Sequence, residues 1–300
     1  MLAQLAAYIK HGVSRRAIRD RRRDTRRNAP PRDPGPPISR ITFLVSRSMT
    51  MNLRLYAFTV VFAVFGGLPA ARTQAAEVDA QAMVEQADDI RFPRDPFQVS
   101  VRVTSTSKSG SAEIHEYQVL QKGRDNTIVR TLSPASEKGQ LMLLKGPDLW
   151  LFLPTVSQPV RLPLSQRLTG QVANGDLARA NFAGDYNAKL LSTENIDQQD
   201  CDVLELTAAR KGVTYERVLY WVNATTKRPV KAEFYTRSKR LMKVGIYENY
   251  KELGGMQRPT RLILKDALHA GDESVLEYSG LKLRELPDKF FTKEFLRKLD

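Results

Sequence analysis

The sequence predicts a mainly β chain, an antiparallel barrel or strongly curved sheet. Three observations lead there. From Phe97 the side chains alternate, with Phe97, Val99, Val101 and Val103 apolar and Gln98, Ser100, Arg102 and Thr104 polar, the period-two pattern of a strand with one buried face. Turn residues recur at short intervals, as Gly123, Gly146-Pro147-Asp148, Lys211-Gly212, Gly254-Gly255 and Gly271-Asp272, which suits hairpin connections. No stretch between them has the length and period of a helix that could carry a parallel crossover.

The chain divides into three parts. Residues 1–48 hold twelve Lys/Arg against three Asp/Glu, with eight arginines between Arg15 and Arg27 and a proline-rich run from Pro30 to Pro37. Such a composition buries too little apolar surface to fold. It reads as a disordered extension from a start codon placed too far upstream, with Met49 or Met51 as the true start; a nucleic-acid arm and a twin-arginine signal are the competing readings. Residues 49–76 follow the layout of a secretory signal peptide: Arg54, an uncharged and mostly apolar run from Leu55 to Leu68, helix breakers Gly66, Gly67 and Pro69, then small residues with cleavage near Ala75 or Ala76. The run is short of the roughly 20 residues that a membrane anchor needs. The formal charge of +14 is therefore concentrated at the front. Residues 77–300 carry 33 basic and 30 acidic side chains, a net of +3, which gives no argument for nucleic acid as a partner.

Within residues 77–300, Val78 to Arg91 lacks Gly and Pro and places Val78, Ala82, Val84 and Ala87 at helical spacing, closed by Phe92-Pro93. The strands then expected are Phe97–Val103, Glu113–Gln121, Thr127–Thr131, Gln140–Lys145, Leu149–Leu153, Val160–Leu162, Ala188–Ser192, Val203–Ala208, Glu216–Val222, Val230–Thr236, Leu241–Tyr250, Thr260–Ala267 and Ser274–Leu283. Leu164 to Phe182 interrupts them as a polar, Gly-broken insertion, locally helical around Asp176 to Asn181. Thr292 to Leu299 reads as a short final helix. These residues form one domain, long enough for a large core.

No array of catalytic groups emerges. The one cysteine, Cys201, excludes an internal disulfide and lies between Asp200 and Asp202, which would raise its pKa and blunt its nucleophilicity. His115 is expected at the surface of a strand. Asp266, His269 and Asp272 could be imagined around a metal, but turn chemistry accounts for each. There is no phosphate-cradling glycine loop, HExxH or GxSxG motif. The expectation is a non-enzymatic protein without metal or cofactor.

Two other features invite a binding role. Leu149 to Leu153 reads LWLFL and Val218 to Val222 reads VLYWV, apolar on both faces. Each is either a core strand beneath a covering helix or a strand with one side lining a cavity. Trp150, Phe152, Trp221, Val244 and Ile246 are the residues expected to line it. The second feature is a basic run, Lys227, Arg228, Lys231, Arg237, Lys239, Arg240 and Lys243 against Glu233 alone. It is either a solvated strand edge and hairpin tip or a surface for anionic headgroups or an acidic partner.

The stretch LWLFLPTVSQPVRLPLSQRLTGQVANGDLARANFAGDY from Leu149, with VLYWVNATTKRPVKAEFY from Val218, YENYKELGGMQRPTRL from Tyr247 and DKFFTKEFLRKLD from Asp288, resembles the outer-membrane lipoprotein-sorting proteins of the LolA-like superfamily. The resemblance runs from about Ala80 to Asp300. It implies a half-open antiparallel β-barrel of about eleven strands, with short helices across its mouth and an apolar cavity for acyl chains of lipids or lipoproteins. It also implies a monomer in the periplasm of a Gram-negative bacterium. An RND- or MMPL-type inner-membrane transporter, or an outer-membrane acceptor, is the partner it suggests. Burying one sixteen-carbon chain gains roughly 12 kcal/mol before entropic costs. Such a carrier must pass cargo directly to another apolar site, so a movable lid and a docking surface are expected. Leu164 to Phe182 is the lid candidate and Lys227 to Lys243 the docking candidate. A sensor built on the same barrel, and a lipid hydrolase using His115 or His269, are the alternatives.

Overall fold

The computed structural model describes residues 79–179 and 181–296, all within a unit spanning residues 71–300. The basic extension, the signal segment and its cleavage site lie outside the described residues. The first element is helix α1 (Ala80–Arg91). Asp79 starts it by accepting from the Ala82 amide at 2.9 Å, satisfying one of the orphan donors of the first turn. Arg258, far along the chain, donates to the carbonyls of Asp89 and Ile90 at its other end.

Six strands follow: β1 (Phe97–Thr106), β2 (Ala112–Lys122), β3 (Asn126–Ser133), β4 (Leu141–Lys145), β5 (Asp148–Phe152) and β6 (Val160–Leu162). The insertion then holds a small hairpin, β7 (Arg167–Thr169) with β8 (Val172–Ala173), and two short helices, α2 (Asn174–Ala178) and α3 (Phe182–Asp185). Seven more strands complete the sheet: β9 (Tyr186–Ile196), β10 (Gln199–Ala208), β11 (Arg217–Asn223), β12 (Pro229–Tyr235), β13 (Leu241–Glu252), β14 (Gln257–Asp266) and β15 (Glu273–Leu283). A 3-10 turn, Asp288–Phe291, and α4 (Lys293–Leu296) close the described chain.

Among the described residues these strands form a thirteen-stranded antiparallel sheet in the order β6-β5-β4-β3-β2-β1-β15-β14-β13-β12-β11-β10-β9. Its thirteen strands correspond to the thirteen expected along the chain, more than the roughly eleven that the family resemblance implied, and the sheet does not close, since β6 and β9 remain edges. The β9–β10 pair runs further than the expected Ala188–Ser192 and Val203–Ala208. Its outer ends read STENIDQQDCD, polar on both sides and so silent to periodicity, yet Asp197 and Gln198 take the positive φ values of a two-residue hairpin turn, and the ladder reaches Ile196 opposite Gln199.

The inner face carries Phe97, Val99, Val101 and Val103 of β1, Tyr117 and Val119 of β2, Leu204 and Leu206 of β10, Tyr220 of β11, Phe234 of β12, Leu264 of β14 and Leu276 of β15. Val84 and Ala87 of α1 join this core, as do Leu177, Ala178 and Phe182 from the insertion. The opposite face is covered at β3–β5, where Ile128, Leu141, Leu143 and Phe152 pack against Leu286, Phe291 and Leu296 of the C-terminal segment.

Candidate functional site

The insertion sits on the inner face of the sheet and is tied there by polar contacts. Its β7–β8 turn passes so close to β1 and β15 that a Cβ at Gly170 would come within 2.1 Å of Ser105 Oγ and 2.3 Å of Ser274 Oγ; only glycine fits, and its φ of +48° is one that glycine adopts freely. Ser274 Oγ accepts from the Gln171 amide at 2.9 Å. Thr169 contacts His115 Nδ1 at 3.2 Å. His115 thus departs from the surface position expected of it: it is 7% exposed, stacks on Tyr117 and faces Glu137 at 3.6 Å. Its strand alternates with the inward Tyr117 and Val119, so the parity of the neighbours is the signal that places it.

Two charge clusters anchor the rest of the insertion. In the first, Asp176 Oδ2 accepts from Lys243 Nζ at 2.6 Å and Asp176 Oδ1 accepts from the Tyr215 hydroxyl at 2.6 Å, while Lys243 also donates to the Gln171 carbonyl. Asp176 further holds the Ala173 amide at 2.8 Å, which fixes the entry to α2. Burial pushes the Lys243 ammonium below its ordinary pKa, against the pull of Asp176. In the second cluster, Arg179 and Arg210 share Asp185, with Nη2 of each at 2.7 Å from Asp185 Oδ1, and Arg179 reaches back to the Gly146 carbonyl and to Asp125. Nearby, Asp88 of α1 accepts from the Ala183 amide at 2.9 Å and from Arg91 at 3.1 Å. The Arg91 guanidinium lies 4.5 Å from the centre of the Phe182 ring. Burial raises the Asp88 pKa, with Arg91 opposing it. None of Asp88, Arg91, Asp176, Arg179, Asp185 or Tyr215 stood out in the sequence, because each is recognisable only by a partner distant along the chain.

A void of about 10 Å³ remains between Leu177 and the residues Phe92, Phe97, Val99, Val101 and Val119, around the minimum for one water molecule. That void is too small for an acyl chain.

The five residues expected to line the cavity all lie on the other face. Trp150 and Phe152 pack under the C-terminal segment, with Lys293 Nζ 3.0 Å from the centre of the Trp150 ring, while their neighbours Leu149 and Leu151 point inward. Of the two readings left open for LWLFL, the covered core strand is the observed one. Trp221 joins Cys201 and Val203 in a separate outer cluster and donates to Glu194 at 3.0 Å. Val244 and Ile246 stand opposite Glu233 and Lys231 on β12, while Lys243, Gly245 and Tyr247 face inward; a Cβ at Gly245 would meet Phe234, Leu262 and Leu264. In β13 the aliphatic residues are outside, and a lysine, a glycine and a tyrosine are inside.

The basic run is likewise divided. Lys227 is bound to Asp202 at 2.7 Å, Arg228 lies over Tyr250, and Lys231 pairs with Glu233 at 2.7 Å above the Trp221 ring. Lys243 is buried on the inner face, so it belongs to no surface patch. Only Arg237, Lys239 and Arg240 are exposed together, at the β12–β13 hairpin tip.

Asp266, His269 and Asp272 do bring ligand atoms within 4.8 Å of one another. Asp266 Oδ1 accepts from the amides of Leu268 and His269, the turn chemistry anticipated, while Asp272 instead accepts from the Lys108 amide of the β1–β2 connection at 2.8 Å. Cys201 is fully buried, and burial together with Asp200 and Asp202 pushes its thiol pKa up. Iodoacetamide in mildly alkaline buffer is expected to leave it unmodified in the folded chain and to alkylate it after unfolding. Mass spectrometry showing modification of the folded chain at the unfolded rate would contradict that. No helix among the described residues is long and apolar enough to cross a membrane.

Comparison with known proteins places this architecture. A family model described as an uncharacterized protein matches residues 123–298. A LolA superfamily protein from Nitrosomonas europaea is 56% identical, covers 73% of this chain and 100% of its own, and superposes with a TM-score of 0.70. A Vibrio parahaemolyticus domain described as an outer membrane lipoprotein-sorting protein, 20% identical, covers 73% of this chain and 98% of its own with a TM-score of 0.62. A DUF1329 family protein from Desulfovibrio piger, 22% identical, covers 72% and 97% with the same TM-score; these last two share the fold. No curated protein matches the sequence. The 56% identity shared with the Nitrosomonas protein over 73% of this chain makes it a member of the LolA superfamily.

Proposed function

We propose that the protein is a periplasmic carrier that takes up acyl chains of lipids or lipoproteins on the inner face of its sheet and hands them between membrane partners. The observation that carries this reading is the insertion. Leu177 and Phe182 occupy apolar space between α1 and the sheet, while the segment that bears them is held by buried ion pairs and hydrogen bonds. Such contacts can be exchanged for others, and lifting the segment opens a ready-made apolar surface. The superfamily membership supports a binding role over a catalytic one. The signal-like segment before residue 77 supports export to the periplasm. An inner-membrane transporter of RND or MMPL type, or an outer-membrane acceptor, is the partner that a direct hand-off requires, because release of a long acyl chain into water is too costly.

The test is transfer of a fluorescent phospholipid between donor and acceptor vesicles. The mature protein is expected to accelerate transfer in proportion to its concentration. If it leaves the rate at the spontaneous value and retains no lipid in native mass spectrometry after purification from membranes, the carrier reading fails.

A further inference from the structure

The insertion can be read as a stand-in for the cargo it displaces. Asp176 presents a carboxylate to the inner end of β13, and the next residue, Leu177, presents an apolar side chain to Phe97, Val99, Val101 and Val119. An anion followed by an alkyl group is the outline of an acidic amphiphile. We propose that this inner-face site selects anionic amphiphiles, lipids whose head carries a phosphate or carboxylate that replaces Asp176 on Lys243 and Tyr215 while the chain replaces Leu177. The inference rests on the carrier reading and adds the class of headgroup.

The argument lies in what stays behind when the insertion lifts. Both acceptors of the Lys243 ammonium, the Asp176 carboxylate and the Gln171 carbonyl, belong to the insertion. The lysine itself belongs to the frame, on β13, with its side chain 6% exposed. Its walls are also frame residues: Nζ lies 5.1 Å from the centre of the Tyr215 ring and 5.6 Å from that of Phe234, and those two rings pack at 4.4 Å. The acid facing it across the β13–β14 ladder is Asp266, whose carboxylate is engaged by the amides of Leu268 and His269. Arg167, the other charge nearby, is a cation on the insertion and repels it. A lifted insertion thus leaves an ammonium and a phenol hydroxyl between aromatic walls without their acceptor. A buried charge deprived of its partner is strongly unfavourable, and the two donors, already spaced on two carboxylate oxygens of Asp176, are arranged for a phosphate or carboxylate. A neutral lipid could fill the apolar space and offer ester or hydroxyl oxygens as acceptors, but it would leave the ammonium charge unbalanced.

The experiment compares two ligands that share chain and glycerol and differ by one phosphate, monopalmitoyl phosphatidate and monopalmitoylglycerol, by titration calorimetry below their micelle concentrations. Inorganic phosphate is titrated in parallel. The phosphatidate is expected to bind at least about tenfold tighter than the neutral lipid, and inorganic phosphate to show no comparable affinity. Lys243→Met should abolish the difference in affinity between the phosphatidate and the neutral lipid. Tyr215→Phe, which keeps the ring and removes only the hydroxyl, should narrow the ratio of phosphatidate to neutral-lipid affinity and serves if the lysine variant does not fold. Asp176→Asn, by weakening the internal competitor, should raise it. Equal binding of the two lipids, or selectivity that survives Lys243→Met and Tyr215→Phe, overturns the headgroup inference and leaves the carrier reading standing. Phosphate binding as tightly as the lipid overturns the amphiphile. Binding of neither lipid overturns both.

Discussion

Replacing Asp185 with alanine is expected to destabilise the fold by about 3–5 kcal/mol, lowering the thermal midpoint by roughly 6–20 °C for a domain of this size. Asp185 is the shared acceptor of Arg179 and Arg210, and its side chain and that of Arg179 are each 4% exposed. The ion pair itself contributes little net stability, because desolvation offsets most of its attraction. Removing only the acid is different: it strands the Arg179 guanidinium in the interior with Asp125, an exposed residue, as its remaining carboxylate. The expectation separates these effects. Arg179→Met combined with Asp185→Leu should recover much of the loss, since the deeply buried cation is then gone and Arg210, 30% exposed, can turn to solvent. Thermal unfolding followed by circular dichroism decides it, and a single-variant loss below about 1 kcal/mol, the range of a surface pair, would show that the cluster is not buried in solution.

Phe291→Ala is expected to cost about 3–5 kcal/mol through a different mechanism. Phe291 is 1% exposed and lies with Leu286 and Leu296 over Ile128, Leu141, Leu143 and Phe152. Truncation leaves a cavity between a short C-terminal segment and a sheet, and such a segment has too few other contacts to collapse into the space. The chain has two tryptophans, which makes the outcome readable by position. Trp150 packs against this cluster and Trp221 belongs to another. Emission from a Trp221→Phe background should therefore shift to the red when Phe291 is truncated, whereas emission from a Trp150→Phe background should not. A red shift in the second background, or none in the first, would contradict the assignment of the C-terminal segment to the outer face of β3–β5.

The strands were legible where one face is apolar and the other polar, as in β1, because alternation then encodes both the strand and its orientation. It failed where that contrast is missing. In β5 and β11 both faces are apolar, and periodicity cannot say which side meets α1 and which meets the C-terminal segment or the Cys201 cluster. In β13 the contrast is inverted: Val244 and Ile246 lie outside, and Lys243 lies inside because Asp176 waits for it there. Gly245 was the available clue, since a glycine in mid-strand marks a close approach, here of Phe234 and Leu262. The lid candidate was visible as a break in the strand pattern. Its anchors were not, since each ion pair joins residues whose pairing only the folded chain reveals.

The free edges β6 and β9 bear on how far the sheet can flex. In a closed barrel the bore is fixed by strand number and stagger, so widening it means breaking ladder hydrogen bonds. A sheet that ends at two unjoined edges escapes that geometric rule. Its curvature can relax or tighten while every rung from β6 to β9 stays intact, so the width of the inner face is set by how far the two margins part. The margins themselves are guarded against the association that unpaired backbone invites: β6 is three residues long, and the longer β9 is interrupted by a bulge between its partners Leu190 and Ser192.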